Sequence, residues 1–223
     1  MRLRHEWKHE ITAADCRVLT ARLSAVARRD VHGHSGRYEI RSLYFDDPLD
    51  KALREKIDGV DRREKFRIRY YDGDTSYICL EKKSKRDGLC GKRSVLLSAR
   101  EVQDLLDGDL AWMPGSGRPL VQELYCKMKG DFLRPKTIVD YTRDAYVFPA
   151  GNVRVTLDSN IRTGLRSTES LGPACVTVPA GDAPIILEVK WDEFLPDVIR
   201  AAVQLPGRRS SAFSKYAACR IYG

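Results

Sequence analysis

Apolar and charged residues alternate with a period of two along successive short segments of this chain, and turn residues separate the segments. Residues i and i+2 of a strand share one face, so each segment predicts a strand with one apolar and one charged face. Strands are expected at 2–10, 38–46, 63–71, 77–83, 92–97, 136–146, 153–160 and 184–192. An antiparallel sheet of about eight strands tends to close, because closure removes its exposed edges. The prediction is an α+β fold, a closed eight-stranded antiparallel β-tunnel flanked by a few helices.

Helices are expected where the apolar period lengthens. Thr12 and Ser98 are N-cap candidates in front of helices at 13–29 and 99–106. Further helices are expected at 49–57, 120–129, 196–205 and 211–222, and loops at 85–91, 108–119 and 163–181, the last long and flexible. A chain of 223 residues with 43% hydrophobic residues suits one domain over 1–223.

The charge balance favours an anionic partner. The chain has 39 Lys and Arg against 31 Asp and Glu, a net charge of +8, which suits nucleic acid, anionic lipid or phosphate-rich small molecules. Its six cysteines form no CxxC pair, which argues against a structural zinc site. No signal peptide opens the sequence and no apolar run approaches membrane-span length. We expect a cytoplasmic protein with reduced thiols, and leave any membrane association to a partner.

The charged positions of successive strands share one parity, and two interpretations follow. They form either the solvated face of an ordinary half-buried sheet, the default for alternating strands, or the lining of a closed barrel. Cations dominate this face and Arg recurs on it, which favours phosphate binding because a guanidinium contacts phosphate in bidentate fashion. A Glu-x-Lys pattern also recurs, at 6–8, 81–83 and 188–190. A carboxylate beside a phosphate site is useful for holding a divalent metal.

Eight short motifs, taken in chain order, carry a resemblance to a known family. They are RHEWKHEI at 4–11, SLYFD at 42–46, KFRIRYY at 65–71, EKK at 81–83 with GKRSV at 91–95, YTR at 141–143, RVTLD at 154–158, ILEVK at 186–190 and SKY at 214–216. Together they resemble the polyphosphate polymerase domain of the vacuolar transporter chaperone (VTC) type, within the triphosphate tunnel metalloenzyme (CYTH-like) superfamily. The resemblance spans residues 4–222 and implies an eight-stranded tunnel.

The resemblance also implies an activity and a site. The activity is metal-dependent transfer of the γ-phosphoryl group of ATP onto a polyphosphate chain, with Mn²⁺ or Mg²⁺ as cofactor. The residues implied to contact phosphate are Lys8, Arg67, Arg69, Lys83, Arg93, Arg143, Arg154, Lys190 and Lys215, with hydrogen bonds from Tyr141 and Ser214. Glu188 is implied to hold the metal, assisted by Glu6. The implied catalytic set is Lys8, Arg67, Arg69, Lys83, Arg143, Arg154 and Glu188.

Two positions depart from the family pattern. The superfamily opens with Glu-x-Glu-x-Lys, and here Arg4 replaces the first Glu. Leu96 stands close to where relatives carry a further lysine, which leaves Arg93 and Lys92 to serve. The loss of the carboxylate at position 4 fits a polymerase-type site better than a triphosphatase site. Two alternatives stay open, a triphosphatase of the same fold and a non-catalytic polyphosphate-binding sensor. The expected partners are ATP and inorganic polyphosphate. Nucleic acid is not expected, because the sequence has no helix-turn-helix or RNA-binding motif.

Overall fold

The computed structural model describes residues 3–31, 36–172, 175–182, 184–207 and 213–221. The strands within these ranges are β1 (Leu3–Ile11), β2 (Arg28–Arg29), β3 (Arg37–Asp46), β4 (Arg63–Tyr71), β5 (Asp74–Arg86), β6 (Leu89–Leu97), β7 (Arg134–Phe148), β8 (Val153–Thr163), β9 (Val178–Pro179) and β10 (Ile185–Trp191). The helices are α1 (Ala13–Val26), α2 (Lys51–Ile57), α3 (Ala99–Leu106), α4 (Pro119–Gly130), α5 (Asp197–Val203) and α6 (Lys215–Cys219), with a 3-10 turn at Ala150–Asn152.

Eight strands close into a barrel in the order β7-β3-β4-β5-β6-β1-β10-β8, and β8 pairs with β7 to complete the ring. The pairings between neighbours in the ring are all antiparallel. The two-residue strands β2 and β9 extend the sheet by pairing with β7 and β8. The closed eight-stranded antiparallel tunnel predicted from the sequence is therefore confirmed.

Two tight hairpin turns determine where β4, β5 and β6 begin and end. Asp72 and Gly73 join β4 to β5 with φ of 49° and 72°, and Asp87 and Gly88 join β5 to β6 with φ of 51° and 76°. Positive φ at both turn residues matches the twist of the flanking strands, and Asp-Gly is a favoured pair there. The predicted loop at 85–91 is wrong, because strand pairing continues up to the second turn.

The apolar faces of the strands point outwards and helices cover them. On β4, Phe66 and Ile68 belong to a buried cluster with Val102 of α3 and Leu124 of α4. A second cluster joins α1 and α5 to the outer faces of β8 and β10 through Leu19, Leu23, Val155, Leu187 and Ile199. Because this apolar area is removed from water on the outside of the barrel, the alternating charged residues are left to face inwards.

The helix caps follow the sequence, whereas several boundaries do not. The hydroxyls of Thr12 and Ser98 accept backbone N–H groups three residues on, as predicted for N-caps. The first helix ends at Val26 rather than at 29, because β2 pairs there with β7. The predicted loop at 163–181 contains β9.

The last predicted helix, at 211–222, is represented by α6, while residues 211, 212 and 222 lie outside the described ranges. In the described part of the chain, none of the helices combines the length and apolar character needed to cross a membrane.

Candidate active-site tunnel

The barrel encloses a cavity of about 1240 Å³ lined mainly by polar and charged side chains. Among the described residues, fourteen Lys and Arg side chains and five carboxylates line this cavity. The charged faces of the strands therefore form a lumen with excess positive charge, which suits a ligand that carries several negative charges. Twelve of the thirteen site residues named from the sequence lie in its wall: Glu6, Lys8, Arg67, Arg69, Lys83, Tyr141, Arg143, Arg154, Glu188, Lys190, Ser214 and Lys215.

Glu6, Glu188, Lys8 and Lys190 form one group in the wall, called the carboxylate cluster below. The pairing of β1 with β10 sets Glu6 opposite Lys190 and Lys8 opposite Glu188. Lys8 Nζ lies 2.6 Å from Glu6 Oε1 and 3.4 Å from Glu188 Oε2, and Lys190 Nζ contacts both carboxylates. Burial and Glu188 oppose ionisation of Glu6, but Lys8, Lys190 and Lys83 lower its pKa to about 2. Although burial opposes ionisation of Glu188 as well, Lys190 and Lys8 hold its pKa well below the usual range, so both carboxylates are ionised at neutral pH.

β4 contributes two arginines whose guanidinium groups are held by neighbouring side chains. Arg67 donates from Nε and Nη2 to Glu81 Oε2 at 2.7 and 2.5 Å, and from Nη1 to the Tyr44 hydroxyl at 2.8 Å. Arg69 donates to the Tyr141 hydroxyl at 2.8 Å. Glu81 is 1% exposed, and although burial opposes its ionisation, Arg67 and Arg69 hold its pKa well below the usual range. The two guanidinium groups are thereby fixed before any ligand arrives.

Another side of the wall is formed by β7, β8 and α6. Arg143 donates from Nε and Nη2 to the two carboxylate oxygens of Asp158 at 2.6 and 2.8 Å, and Lys215 Nζ lies 2.6 Å from the same carboxylate. Asp158 is fully buried, and Arg143 and Lys215 outweigh that burial to lower its pKa to about 2. The Ser214 Oγ accepts the N–H of Ala217 at 3.3 Å, so its own proton is left to donate elsewhere.

Lys65 and Lys83 are among the wall lysines that form no ion pair with a carboxylate of the described residues. Lys65 and Lys83 sit opposite each other on β4 and β5, and Lys65 Nζ lies 4.9 Å from the centre of the Tyr216 ring. Burial, together with repulsion from Lys190 and Arg67, holds the pKa of Lys83 well below its usual range. Burial and nearby cations lower the pKa of Lys65 to about 7. Both lysines therefore lie among cations without a carboxylate in direct contact.

The sequence profile of the VTC domain family matches residues 3–221. This chain belongs to the VTC domain family. The match confirms the resemblance and covers nearly the whole chain. No curated protein sequence matches the chain at a significant level.

Solved structures show which fold this VTC domain shares. A candidate adenylyl cyclase from Hippeastrum with a dominant triphosphatase activity superimposes with a TM-score of 0.58 at 14% identity, over 98% of this chain and 95% of that chain. A candidate adenylate cyclase from Bacillus halodurans reaches 0.47 at 13% identity, over 85% of this chain and 80% of that one. A Pyrococcus horikoshii protein reaches 0.47 at 14%, over 90% and 85%. At 14% identity the Hippeastrum likeness establishes the fold.

Arg93 is the predicted site residue that this VTC domain does not bring into the tunnel. Its guanidinium contacts Glu123 of α4 on the outside of the barrel, and its side chain is 44% exposed. The neighbouring Lys92 lines the cavity instead and donates to Glu81 Oε1 at 2.9 Å. Successive side chains on a strand point to opposite faces, so only one of these two neighbours can face inwards. The expectation that Arg93 faces the lumen is therefore corrected, and Lys92 is the cation of this pair that lines the cavity.

Sequence reasoning missed the role of Tyr44, and it left Glu81 and Asp158 between an ion-pairing or turn-capping role and a metal role. Glu81 and Asp158 carry the ion pairs, and Tyr44 adds a hydrogen bond to Arg67. Lys65 was also missed, although it lies two residues before Arg67 and therefore on the same face of β4. This two-residue spacing from Arg67 was the sequence signal that would have predicted Lys65 in the lumen.

The carboxylate cluster has the donor chemistry of a Mg²⁺ or Mn²⁺ site. Hard divalent cations take oxygen ligands, and Mg²⁺ is commonly held by one or two carboxylates with phosphate oxygens and water. Glu6 and Glu188 would supply two carboxylates from neighbouring strands. Within the described ranges, no group of three or more His, Cys, Asp and Glu side chains converges as a metal site. The two carboxylates fit a metal that completes its coordination shell with phosphate oxygens and water.

Proposed function

We propose that this VTC domain is a metal-dependent polyphosphate polymerase that transfers the γ-phosphoryl group of ATP to the end of a polyphosphate chain inside the tunnel. One observation carries the proposal. The lumen combines arginines held on fixed partners with a two-carboxylate cluster, in a closed tunnel whose lining cations outnumber its carboxylates. Such a lumen suits a long polyanion better than a single phosphate group.

Phosphoryl transfer needs positioning and charge neutralisation more than covalent chemistry from the protein. A terminal oxygen of the acceptor chain forms a bond to the γ-phosphorus, while the bond from that phosphorus to the β-bridging oxygen breaks. ADP leaves with the electron pair of the broken bond. The acceptor oxygen is already ionised, so neither a protein nucleophile nor a general base is required.

Each part of the lumen has a role in that reaction. Arg67, Arg69 and Arg143 hold the phosphates in line, because their anchored guanidinium groups offer donors without reorganisation. Lys8 and Lys190, the two lysines of the carboxylate cluster, would contact phosphate oxygens next to Glu6 and Glu188. A divalent metal held by Glu6 and Glu188 would neutralise charge on the phosphate oxygens.

The test is incubation of the purified protein with ATP and Mn²⁺, with and without a short polyphosphate primer, with products resolved on a gel. We expect a ladder of lengthening chains that is lost in Glu188→Ala and kept in Glu123→Ala, a control carboxylate outside the barrel. Retention of the wild-type rate in Glu188→Ala would remove that residue from the metal site. Release of inorganic phosphate without chain growth would identify a triphosphatase, and binding without turnover a sensor.

A further inference from the structure

The two mouths of the tunnel differ in their chemistry. β5 runs between the turn at Asp72–Gly73 and the turn at Asp87–Gly88, so these turns mark opposite ends of the barrel wall. The first end is lined by Tyr38, Tyr71, Asp72, Asp74, Tyr77 and Arg154, and is called the tyrosine mouth. The second end is lined by Lys56, Arg63, Glu64, Lys65 and Lys85, and is called the lysine mouth.

The tyrosine mouth offers aromatic surface and fixed hydrogen-bond acceptors. The side chain of Tyr77 is exposed at the rim, at 53% for the residue, and Tyr71 meets Tyr38 edge-on with ring centroids 5.8 Å apart. The carboxylate of Asp72 accepts the N–H of Glu39 at 2.7 Å, which fixes its position. Aromatic faces bind nucleobases by stacking, and carboxylates accept hydrogen bonds from ribose hydroxyls. Acidic groups at the rim also disfavour a free polyanion there.

The lysine mouth has the opposite character. Glu64 is the acidic lining residue among those described at this mouth, and its carboxylate is taken up by contacts with Lys82 and Lys127 outside the lumen. The mouth cations Lys56 and Lys65 are left near one another and near Arg63, and their pKa values are lowered by burial and by this mutual repulsion. A ligand that brings only negative charge would relieve this repulsion.

β4 joins the two mouths with one inward-facing row of side chains. From Tyr71 the row continues through Arg69 and Arg67 to Lys65 and Arg63. At a strand rise of about 3.3 Å per residue, Arg69 lies about 7 Å and Arg67 about 13 Å from Tyr71 along the strand. A nucleoside at Tyr71 would therefore direct its triphosphate inwards along the arginines.

We propose that the tyrosine mouth binds the nucleoside of a nucleoside triphosphate, and that the acceptor polyphosphate occupies the lysine mouth. The proposal rests on the proposed function and adds a direction to it. The nucleoside diphosphate product leaves through the tyrosine mouth, and the lengthened chain extends through the lysine mouth.

Calorimetric titration tests the assignment without requiring turnover. The ligands are the β,γ-imido analogue of ATP, inorganic triphosphate and a long polyphosphate, each with Mg²⁺. We expect Tyr77→Ala to weaken binding of the nucleotide analogue about tenfold and to leave the Kd of inorganic triphosphate within about twofold, since stacking on the base is lost and phosphate contacts stay. Tyr77→Phe, which keeps the ring, is the matched control and retains both affinities.

A variant at the other mouth completes the test. Lys85→Ala should weaken binding of long polyphosphate about threefold or more and spare the nucleotide analogue. Equal losses for analogue and triphosphate in Tyr77→Ala, or no loss for either, would overturn the assignment. Because these are affinities, they remain informative even if no chain growth is observed and the proposed polymerase activity fails.

A second measurement reads the position directly. Photolysis of the protein with 8-azido-ATP, followed by mass spectrometry of the labelled peptides, should place the label within residues 71–77. Label within 56–65 or 83–92 would put the base at the lysine mouth and reverse the proposed direction.

Discussion

The arginines and the lysines of the tunnel are held in opposite ways. Arg67 and Arg143 each donate two hydrogen bonds to a carboxylate that is almost fully buried, Glu81 in one case and Asp158 in the other. Lys83, by contrast, forms no ion pair with the described carboxylates, and burial with nearby cations lowers its pKa. The arginines are thus positioned by the protein alone, whereas this lysine carries charge that a phosphate ligand would compensate.

The difference follows from the chemistry of the two side chains. A guanidinium stays protonated when buried and offers a planar set of donors that matches a carboxylate, so it can be anchored and still contact phosphate. An ammonium group loses its proton more readily when buried among cations. The comparison therefore predicts that arginine anchors matter for the stability of the free protein, and that unpaired lysines matter mainly when ligand is bound.

The largest effect is expected from removing an anchor. Glu81→Ala would leave Arg67 buried without its carboxylate and would free Lys92, so the free energy of unfolding should fall by about 3–5 kcal/mol. Urea denaturation measures it. The control is Glu123→Ala, which breaks contacts to Lys82 and Arg93 at a more exposed position and should cost about 1 kcal/mol or less. Equal losses in both variants would mean that Glu81 is not an anchor.

Removing an unpaired lysine should act in the opposite direction on stability. Lys83→Met removes a partly buried amine whose charged form is opposed by burial, Lys190 and Arg67, and the free protein should gain about 1–3 kcal/mol in its free energy of unfolding. The same variant should bind inorganic triphosphate about tenfold more weakly, because one phosphate contact is gone. Urea denaturation checks the gain in stability, and calorimetric titration of the same preparation checks the loss of affinity for triphosphate. A variant that is less stable than the wild type would show that Lys83 is compensated in the free protein.

The pH dependence of binding tests the same idea at Lys65, whose pKa is lowered to about 7 by burial and by Arg63, Lys56 and Lys8 against the pull of Asp46. A bound polyanion favours the charged ammonium, so binding takes up a proton above pH 7. Affinity for triphosphate should fall about fivefold between pH 7 and pH 8, since one proton is linked to binding.

Lys65→Arg supplies the control for that pH dependence, because a guanidinium stays charged over the whole range. Its affinity should change less with pH than that of the wild type. The free energy of unfolding should change with pH in the opposite direction to the affinity. The unfolded state keeps the Lys65 proton up to about its ordinary pKa of 10.5 and the folded state loses it near 7, so wild-type stability should rise with pH between these values. A flat affinity profile in the wild type would refute the assignment.

The barrel and the inward-facing charges could be predicted because the alternation of apolar and charged residues shows which residues share a face of each strand. Arg67 and Arg69 share their face with no tertiary information at all. Glu81 lies opposite Arg67 on the β4–β5 hairpin, so that anchor was within reach of the sequence. The partners of Asp158 were not, since Asp158 pairs with Arg143 on the neighbouring strand β7 and with Lys215 from a helix near the C-terminus. Such contacts depend on barrel closure, which brings residues far apart in the chain onto one wall.

The error at Arg93 has a local cause. Treating 85–91 as a loop left the register of β6 against β5 undefined, so the face that each β6 residue presents was not fixed. In the structure the Asp87–Gly88 turn sets Lys83 opposite Lys92 and Lys82 opposite Arg93. Lys83 faces the lumen, so Lys92 does as well, and Arg93 joins Lys82 against Glu123 on the outside. One residue of register decided which cation belongs to the site.

The smallest change in affinity is expected from replacing Arg93, which tests the corrected position of this residue. Arg93→Ala removes a half-exposed cation outside the barrel, and the Kd of inorganic triphosphate should change by less than about twofold, since screened charges at a distance contribute little. Lys92→Ala removes a cation from the cavity wall and should weaken binding about threefold or more. Calorimetric titration of both variants at the same ionic strength compares their Kd values for inorganic triphosphate. If Arg93→Ala loses as much affinity as Lys92→Ala, then β6 does not present alternate faces to the lumen and to α4, and the register of the β5–β6 hairpin is wrong.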